Sequence, residues 1–301
     1  MHPPARSRPP TGASRVLVGC GLAAVLCAAA LVGALAITGA VAAPSPPPAP
    51  GQVIYSNIPA RPTGLPVLLF ESWSASELGG EVSFAGSARK DVTVSFLLAS
   101  YACQSGRAAG CRTTPGAGFS WPLTLEIYET GPGASMGARV ARVTRNFEIP
   151  YRPSASRSCP DEGWTQGFGA QCSFALMHKV SFSLPSTTLP SSAVVAIEFN
   201  TQNYGASPTG KSGPYDSLGV AVDADYVCTR PSRRTGRCEP GGYKNTSSGE
   251  PSVGGNPLPE QVFINTTYEP LVCGGPAGSF GATGDCWSHE QPVIEVRATG
   301  R

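Results

Sequence analysis

The sequence predicts an all-β protein: a two-sheet antiparallel sandwich of jelly-roll or Greek-key type, preceded by one N-terminal hydrophobic helix. Three observations predict it. Short runs of alternating apolar and polar residues recur from residue 52 to the C-terminus, and a period of two turns one side of each run toward a core. Loops rich in Gly, Pro and Ser separate the runs; 36 glycines and 30 prolines in 301 residues disfavour long helices. No convincing amphipathic helix interrupts the pattern.

The most regular element is a hairpin. Leu123, Leu125 and Ile127 alternate with Thr124, Glu126 and Tyr128, Gly131-Pro132-Gly133 supplies a turn, and residues 138–147 return. Ahead of it, Val53-Ile54-Tyr55 opens the domain, residues 66–71 form an apolar strand, and Val82 with Phe84 share a face. Val92, Val94 and Phe96 repeat the alternation. Beyond the hairpin come Val180, Phe182 and Leu184, then Val195, Ile197 and Phe199, then Leu218, Val220 and Val222. A glycine-rich excursion over 229–258 precedes Val262-Phe263-Ile264 and the last strand, 293–296. About ten strands with one buried face per sheet make a sandwich. No internal repeat of 20–50 residues is visible.

Residues 1–15 are a basic n-region, with Arg6, Arg8 and Arg15 and no acid. Residues 16–43 carry no charge and read as a signal peptide or an uncleaved transmembrane anchor. Ala40-Val41-Ala42 offers a cleavage signal, while the 24 residues 16–39 are long enough to span a bilayer. Either way the arginines keep the N-terminus in the cytoplasm and send the body out, secreted or anchored facing outward. Residues 44–51 are a Pro-rich linker of polyproline type, and 52–301 form the extracytoplasmic domain.

Charge excludes one partner class. Removing the three N-terminal arginines from the 22 basic residues leaves 19 against 20 acidic ones, without the basic excess of a nucleic-acid binder. The membrane is a partner only through 16–43, if uncleaved.

Cys20 and Cys27 lie in the apolar segment, leaving Cys103, Cys111, Cys159, Cys172, Cys228, Cys238, Cys273 and Cys286. An even number in an exported chain predicts disulfides. They fall into four close couples, so the expected pairing is 103–111, 159–172, 228–238 and 273–286, each stapling one loop. None forms C-x-x-C, and only His178 and His289 lie in the body; no zinc site, other metal or cofactor is expected.

Several motifs fail on context. Gly205 to Ser212 matches the P-loop pattern, but Gly213-Pro214 follows where a helix is required. Gly133-Ala134-Ser135-Met136-Gly137 matches the nucleophile elbow, with Asp216, Asp223 and His289 in hydrolase order. The elbow also needs a helix after the serine, and residues 138–147 carry β-branched and aromatic residues without an N-cap. The expectation is a hairpin turn, and no catalytic residue is assigned. Asp161/Glu162 and Asp223/Asp225 are carboxylate pairs; the second could hold Ca²⁺ but reads better as a solvated strand end. Asn245 and Asn265 begin glycosylation sequons.

Aromatic residues in the loops are the candidate ligand-binding residues. Trp164 sits inside a stapled loop, Trp287 follows Cys286, and Tyr204 and Tyr215 flank a Gly/Pro/Ser loop. Rings so placed either stack on sugars or pack over their own disulfides.

Phe70-Glu71, Glu81 to Gly86, Ile127-Tyr128 with its Gly-Pro-Gly turn, Phe147 to Ser154 and Gly213 to Leu218 together resemble a group of uncharacterised, exported actinobacterial β-sandwich proteins. The likeness covers about residues 52–298. It implies a jelly-roll-like fold outside the cytoplasm and brings no catalytic residues. The resulting expectation is a non-enzymatic surface, adhesive or binding role, with glycan or cell-envelope polymer as the ligand. The alternative is a secreted hydrolase of polysaccharide or ester.

Overall fold

The computed structural model describes residues 51–60, 62, 65–70, 75–159, 163–166, 171–199, 218–224, 226–228, 243–245, 249–266, 280–283 and 289–300. The n-region, the hydrophobic segment with its expected helix, and most of the linker lie outside them. In chain order the strands are Gln52–Ser56 (β1), Val67–Leu69 (β2), Ala75–Ser83 (β3), Lys90–Ser100 (β4), Gly118–Thr130 (β5) and Met136–Pro150 (β6). Trp164–Gln166 (β7), Gln171–Ser173 (β8), Leu176–Thr188 (β9), Ser192–Phe199 (β10), Leu218–Asp223 (β11) and Tyr226–Cys228 (β12) follow. The last are Tyr243–Asn245 (β13), Val262–Thr266 (β14), Gly281–Thr283 (β15), Gln291–Pro292 (β16) and Ile294–Ala298 (β17).

Every strand pair is antiparallel, and two sheets dominate. One has seven strands and contains the path β2-β11-β4-β9; the other has six in the order β15-β14-β3-β10-β5-β6. The chain crosses between sheets at almost every step, and only β5 to β6 is a tight hairpin between core strands. Four strands β2-β11-β4-β9 facing four strands β3-β10-β5-β6 is jelly-roll connectivity. Two additions extend it. β14 and β15 continue the six-stranded sheet beyond β3. β17 pairs with β4 at Thr93–Phe96, beside the Leu98–Ser100 stretch that holds β11, and carries β1 on its far side. Asn57 pins this fork, donating to Pro292 O at 3.1 Å and accepting from the Ile294 N–H at 2.7 Å.

The alternating residues do form the core. Ile54, Val82, Val94, Phe96, Leu123, Leu125, Ile127, Phe182, Val195, Ile197 and Val220 are all buried in one cluster. At its centre Phe199 stacks on Phe70 at 4.7 Å and on Trp121 at 5.2 Å. Along one flank the two sheets meet, with Phe147 of β6 edge-on to Phe182 of β9 at 4.9 Å and Arg145 donating to Ser183 O.

The predicted hairpin is present and longer than expected, with Leu125 opposite Val143 and Ile127 opposite Ala141. Two cysteine couples pair as expected: Cys103–Cys111 and Cys159–Cys172, each with Cα atoms 5.5 Å apart. Closing loops this short contributes up to about 3 kcal/mol apiece. The couples Cys228/Cys238 and Cys273/Cys286 lie outside the residues whose side chains are described.

Three elements differ from the reading of the sequence. β3 begins at Ala75 and runs straight through Gly79 and Gly80, two poor strand formers. A Cβ on Gly79 would lie 2.8 Å from the Ala196 Cβ, and one on Gly80 2.5 Å from Gln291 Oε1, so close approach requires the glycines. The glycine-rich excursion rejoins the fold: Val253 bridges to Ser56 and Gly255 to Ser83. Finally, the middle of the six-stranded sheet's outer face is covered, while Arg142 and Thr144 on its β6 edge are exposed. Val194, Ala196 and Phe263, which point away from the main core, are fully buried.

Candidate functional site

The outer face of the six-stranded sheet is built by the residues that alternate with its core-facing ones. On β5 these are Thr124, Glu126 and Tyr128; on β10, Val194, Ala196 and Glu198; on β3, Glu77, Gly79 and Glu81; on β14, Phe263 and Asn265. Register places Glu77 directly opposite Glu198, and Glu198 opposite Thr124. The next row runs Phe263, Gly79, Ala196, Glu126 and Arg142. The small residues in the middle of that row, Gly79 and Ala196, lie between the Phe263 ring and the Glu126 carboxylate.

Arg142 bridges two of the acids. Its Nε lies 3.2 Å from Glu126 Oε1 and its Nη2 donates to Glu198 Oε2 at 2.7 Å. Arg139 Nη1 sits 3.6 Å from Glu126 Oε2, and the Tyr128 hydroxyl donates to the same oxygen at 2.5 Å. Alongside, the Thr124 and Thr144 hydroxyls share a bond of 2.8 Å. Burial, and then the hydrogen bond to Glu126, holds the Tyr128 phenol well above its ordinary range.

Glu77 differs from both neighbours. It is only 7% exposed, and its Oε1 has no hydrogen-bond partner. Burial, then the charges of Glu126 and Glu198, push its carboxyl up to about 8 against the opposing pull of Arg142 and the Tyr128 hydroxyl. At neutral pH it is therefore a carboxylic acid, set beside ion-paired carboxylates.

At the hairpin-tip end of the same face opens a cavity of about 460 Å³, lined by none of these acids. The β5–β6 turn lines one side with Gly133, Ala134, Ser135 and Met136, and Gln261, Phe263, Phe280 and Gly281 line the other. Gly133 and Ala134 both take positive φ, 64° and 59°, which turns the chain sharply. Phe280 links the cavity to Tyr128, the hydroxyl donor to Glu126, its ring 5.8 Å from Tyr128 and 6.1 Å from Phe263. Gln291 positions the opposite wall. Its Nε2 donates to Gln261 O at 2.9 Å, Leu258 O at 2.8 Å and Asn256 Oδ1 at 3.0 Å.

Of the four residues expected to bind ligand, only Trp164 is among the described residues, and it does not line this cavity. Trp164 lies on β7, only 8% exposed, in a small hairpin where Thr165 faces the disulfide-bonded Cys172. Its buried indole N–H has no hydrogen-bond partner among the described residues. Tyr204, Tyr215 and Trp287 lie outside the described residues, as do the P-loop match at 205–212, Asp161, Glu162, Asp216 and Asp225.

Ser135 is in the hairpin turn, its hydroxyl donating to Pro132 O at 2.8 Å, with strand β6 following in place of a helix. His178 is on β9 of the other sheet and His289 lies just before β16; neither lines the cavity. Asp223 accepts from the Gly249 N–H at 3.1 Å, and among the described residues no three His, Cys, Asp or Glu side chains are grouped to hold a metal ion.

Glu77, Glu126, Tyr128, Arg142, Glu198 and Phe280 are absent from the sequence-based candidates. One signal does point to them: Val194 and Ala196 are apolar on the same face as Glu198, so that strand reads as buried on both sides. No family model, curated protein or solved structure matches the chain.

Proposed function

We propose that this is an exported jelly-roll protein with a non-enzymatic binding role, its ligand a glycan or cell-envelope polymer taken at the outer face of the six-stranded sheet. The observation that carries the reading is the cavity, joined through Phe280 and Tyr128 to the Glu126–Arg142–Glu198 network. Its size falls within the range of about 300–1,000 Å³ typical of ligand sites. Aromatic rings suit the C–H face of a sugar, and carboxylates with guanidinium groups suit its hydroxyls. Two loop disulfides fit an oxidising compartment, and residues 16–43 supply the export signal or an outward-facing membrane anchor.

The test is a glycan and cell-wall-polymer binding array on purified, oxidised protein, with Phe280→Ala and Glu198→Gln beside the wild type. Each substitution is expected to weaken binding about tenfold or more, equivalent to about 1.4 kcal/mol, with the β circular dichroism spectrum unchanged. A blank array, or variants that bind like the wild type, overturns this site.

One observation favours a polysaccharide hydrolase as the second reading: a neutral acid, Glu77, directly faces the ion-paired Glu198. The same polymers assayed for reducing ends separate the readings. Release that Glu77→Gln abolishes supports hydrolysis, and no release by the wild type ends it.

A further inference from the structure

The three outer-face acids do not share their cations equally. Arg142 is committed to Glu126 and Glu198 together, and Arg139 adds to Glu126. No salt bridge reaches Glu77 among the described residues. The groups facing it are Glu198 from β10, Glu126 and Tyr128 from β5, Arg142 from β6, and the uncharged Asn265 from β14. Over this same patch Phe263, Val194 and Ala196 are buried, and Phe280 rests against Phe263 and Tyr128.

Ionising Glu77 in place would put a third carboxylate under cover where two guanidinium groups already serve two. Like charges directly opposite on neighbouring strands repel, and an unpaired buried charge is strongly unfavourable. Two outcomes relieve it: the carboxyl keeps its proton, or water reaches it.

We propose that a proton on Glu77 latches the outer face of the six-stranded sheet closed, and that losing it admits water to the Glu77–Phe263 patch and opens the face. The latch rests on the binding reading only for its purpose; the opening itself is a property of the fold. Its midpoint lies near the pH of about 8 to which burial and the neighbouring acids push the Glu77 carboxyl. Ligand uptake at this face is therefore favoured in mildly alkaline surroundings and suppressed in acid.

Hydroxyl-radical footprinting of the oxidised protein from about pH 6 to about pH 10 reads the opening directly. Oxidation of Phe263 and Tyr128 is expected to rise several-fold through a single transition, while Phe96 and Phe182 in the main core stay protected. Glu77→Gln, which mimics the neutral acid in shape, is expected to keep both rings protected throughout. Should that variant fail to fold, Glu198→Gln serves instead: removing the facing charge makes Glu77 easier to ionise and moves the midpoint to lower pH.

Constant oxidation of Phe263 in the wild type overturns the latch, as does a rise that Glu77→Gln leaves intact or a midpoint that Glu198→Gln leaves unmoved. Footprinting needs no ligand, so the two readings fail separately. Opening without polymer binding sinks the binding function and leaves the latch; polymer binding without opening does the reverse.

Discussion

The two faces of the six-stranded sheet both bury side chains, yet they are stabilised in different ways. On the inner face Leu125, Ile127, Val195, Ile197 and Phe199 meet only apolar neighbours, so burial adds stability in proportion to area and independently of pH. On the outer face Glu77, Glu126 and Glu198 alternate with Val194, Ala196 and Phe263, and charge must be matched atom by atom. The inner face depends little on solution pH because its buried side chains are apolar and its titratable residues, Glu129 and Arg145, lie at exposed margins. The outer face is conditional, because one of its acids has no cation. A binding surface benefits from that condition, whereas a core does not.

The sharpest break in the comparison is on the inner face. Phe199→Ala removes a ring stacked between Phe70 and Trp121 in a fully packed centre. Stability to denaturant is expected to fall by about 3–5 kcal/mol, by the same amount at acid and alkaline pH. A loss that varies with pH would mean that the core is coupled to the carboxylate face.

Glu77→Gln tests the other side. The Glu77 carboxyl is raised from 4.5 to about 8 in the folded chain, so between those values the native state holds a proton that the unfolded chain has released. Its contribution to stability is therefore greatest below about 4.5 and falls as pH rises through that window, by at most about 1.4 kcal/mol per unit. Glutamine cannot release a proton. Its stability curve is expected to be flatter there, and the variant more stable than the wild type at alkaline pH. Parallel curves for the two proteins would show that Glu77 ionises freely in the folded state.

The inner face was legible in the sequence because its rule is local. Alternation at Leu123, Leu125 and Ile127, or at Val195, Ile197 and Phe199, identifies core strands without knowledge of what they touch. The short-range disulfides were legible for the same reason, since Cys103 with Cys111 and Cys159 with Cys172 are close along the chain. The outer-face cluster obeys no local rule. Glu77, Glu126 and Glu198 come from three strands far apart in sequence, and only the order β3-β10-β5 and its register make them neighbours. Trp164, the one expected ligand-binding aromatic among the described residues, is buried on β7. Gly79 and Gly80 obscured β3 for a related reason: their role is to admit Ala196 and Gln291, and neither is nearby in sequence.

The smallest expected effect concerns the residue that looked most like chemistry. Ser135 lines the cavity, and its surrounding glycines match a nucleophile elbow. A nucleophile needs a base on its hydroxyl, whereas this hydroxyl donates to Pro132 O inside its own turn, with both histidines of the body elsewhere in the fold. Ser135→Ala removes that one exposed bond and is expected to lower stability by about 0.5–1 kcal/mol. Polymer binding is expected to weaken far less than in Phe280→Ala, because this lining hydroxyl is held by Pro132 O inside its own turn. Ester hydrolysis by the wild type that vanishes in Ser135→Ala would turn the comparison over, placing reactive chemistry at the hairpin tip and leaving the carboxylate face as its support.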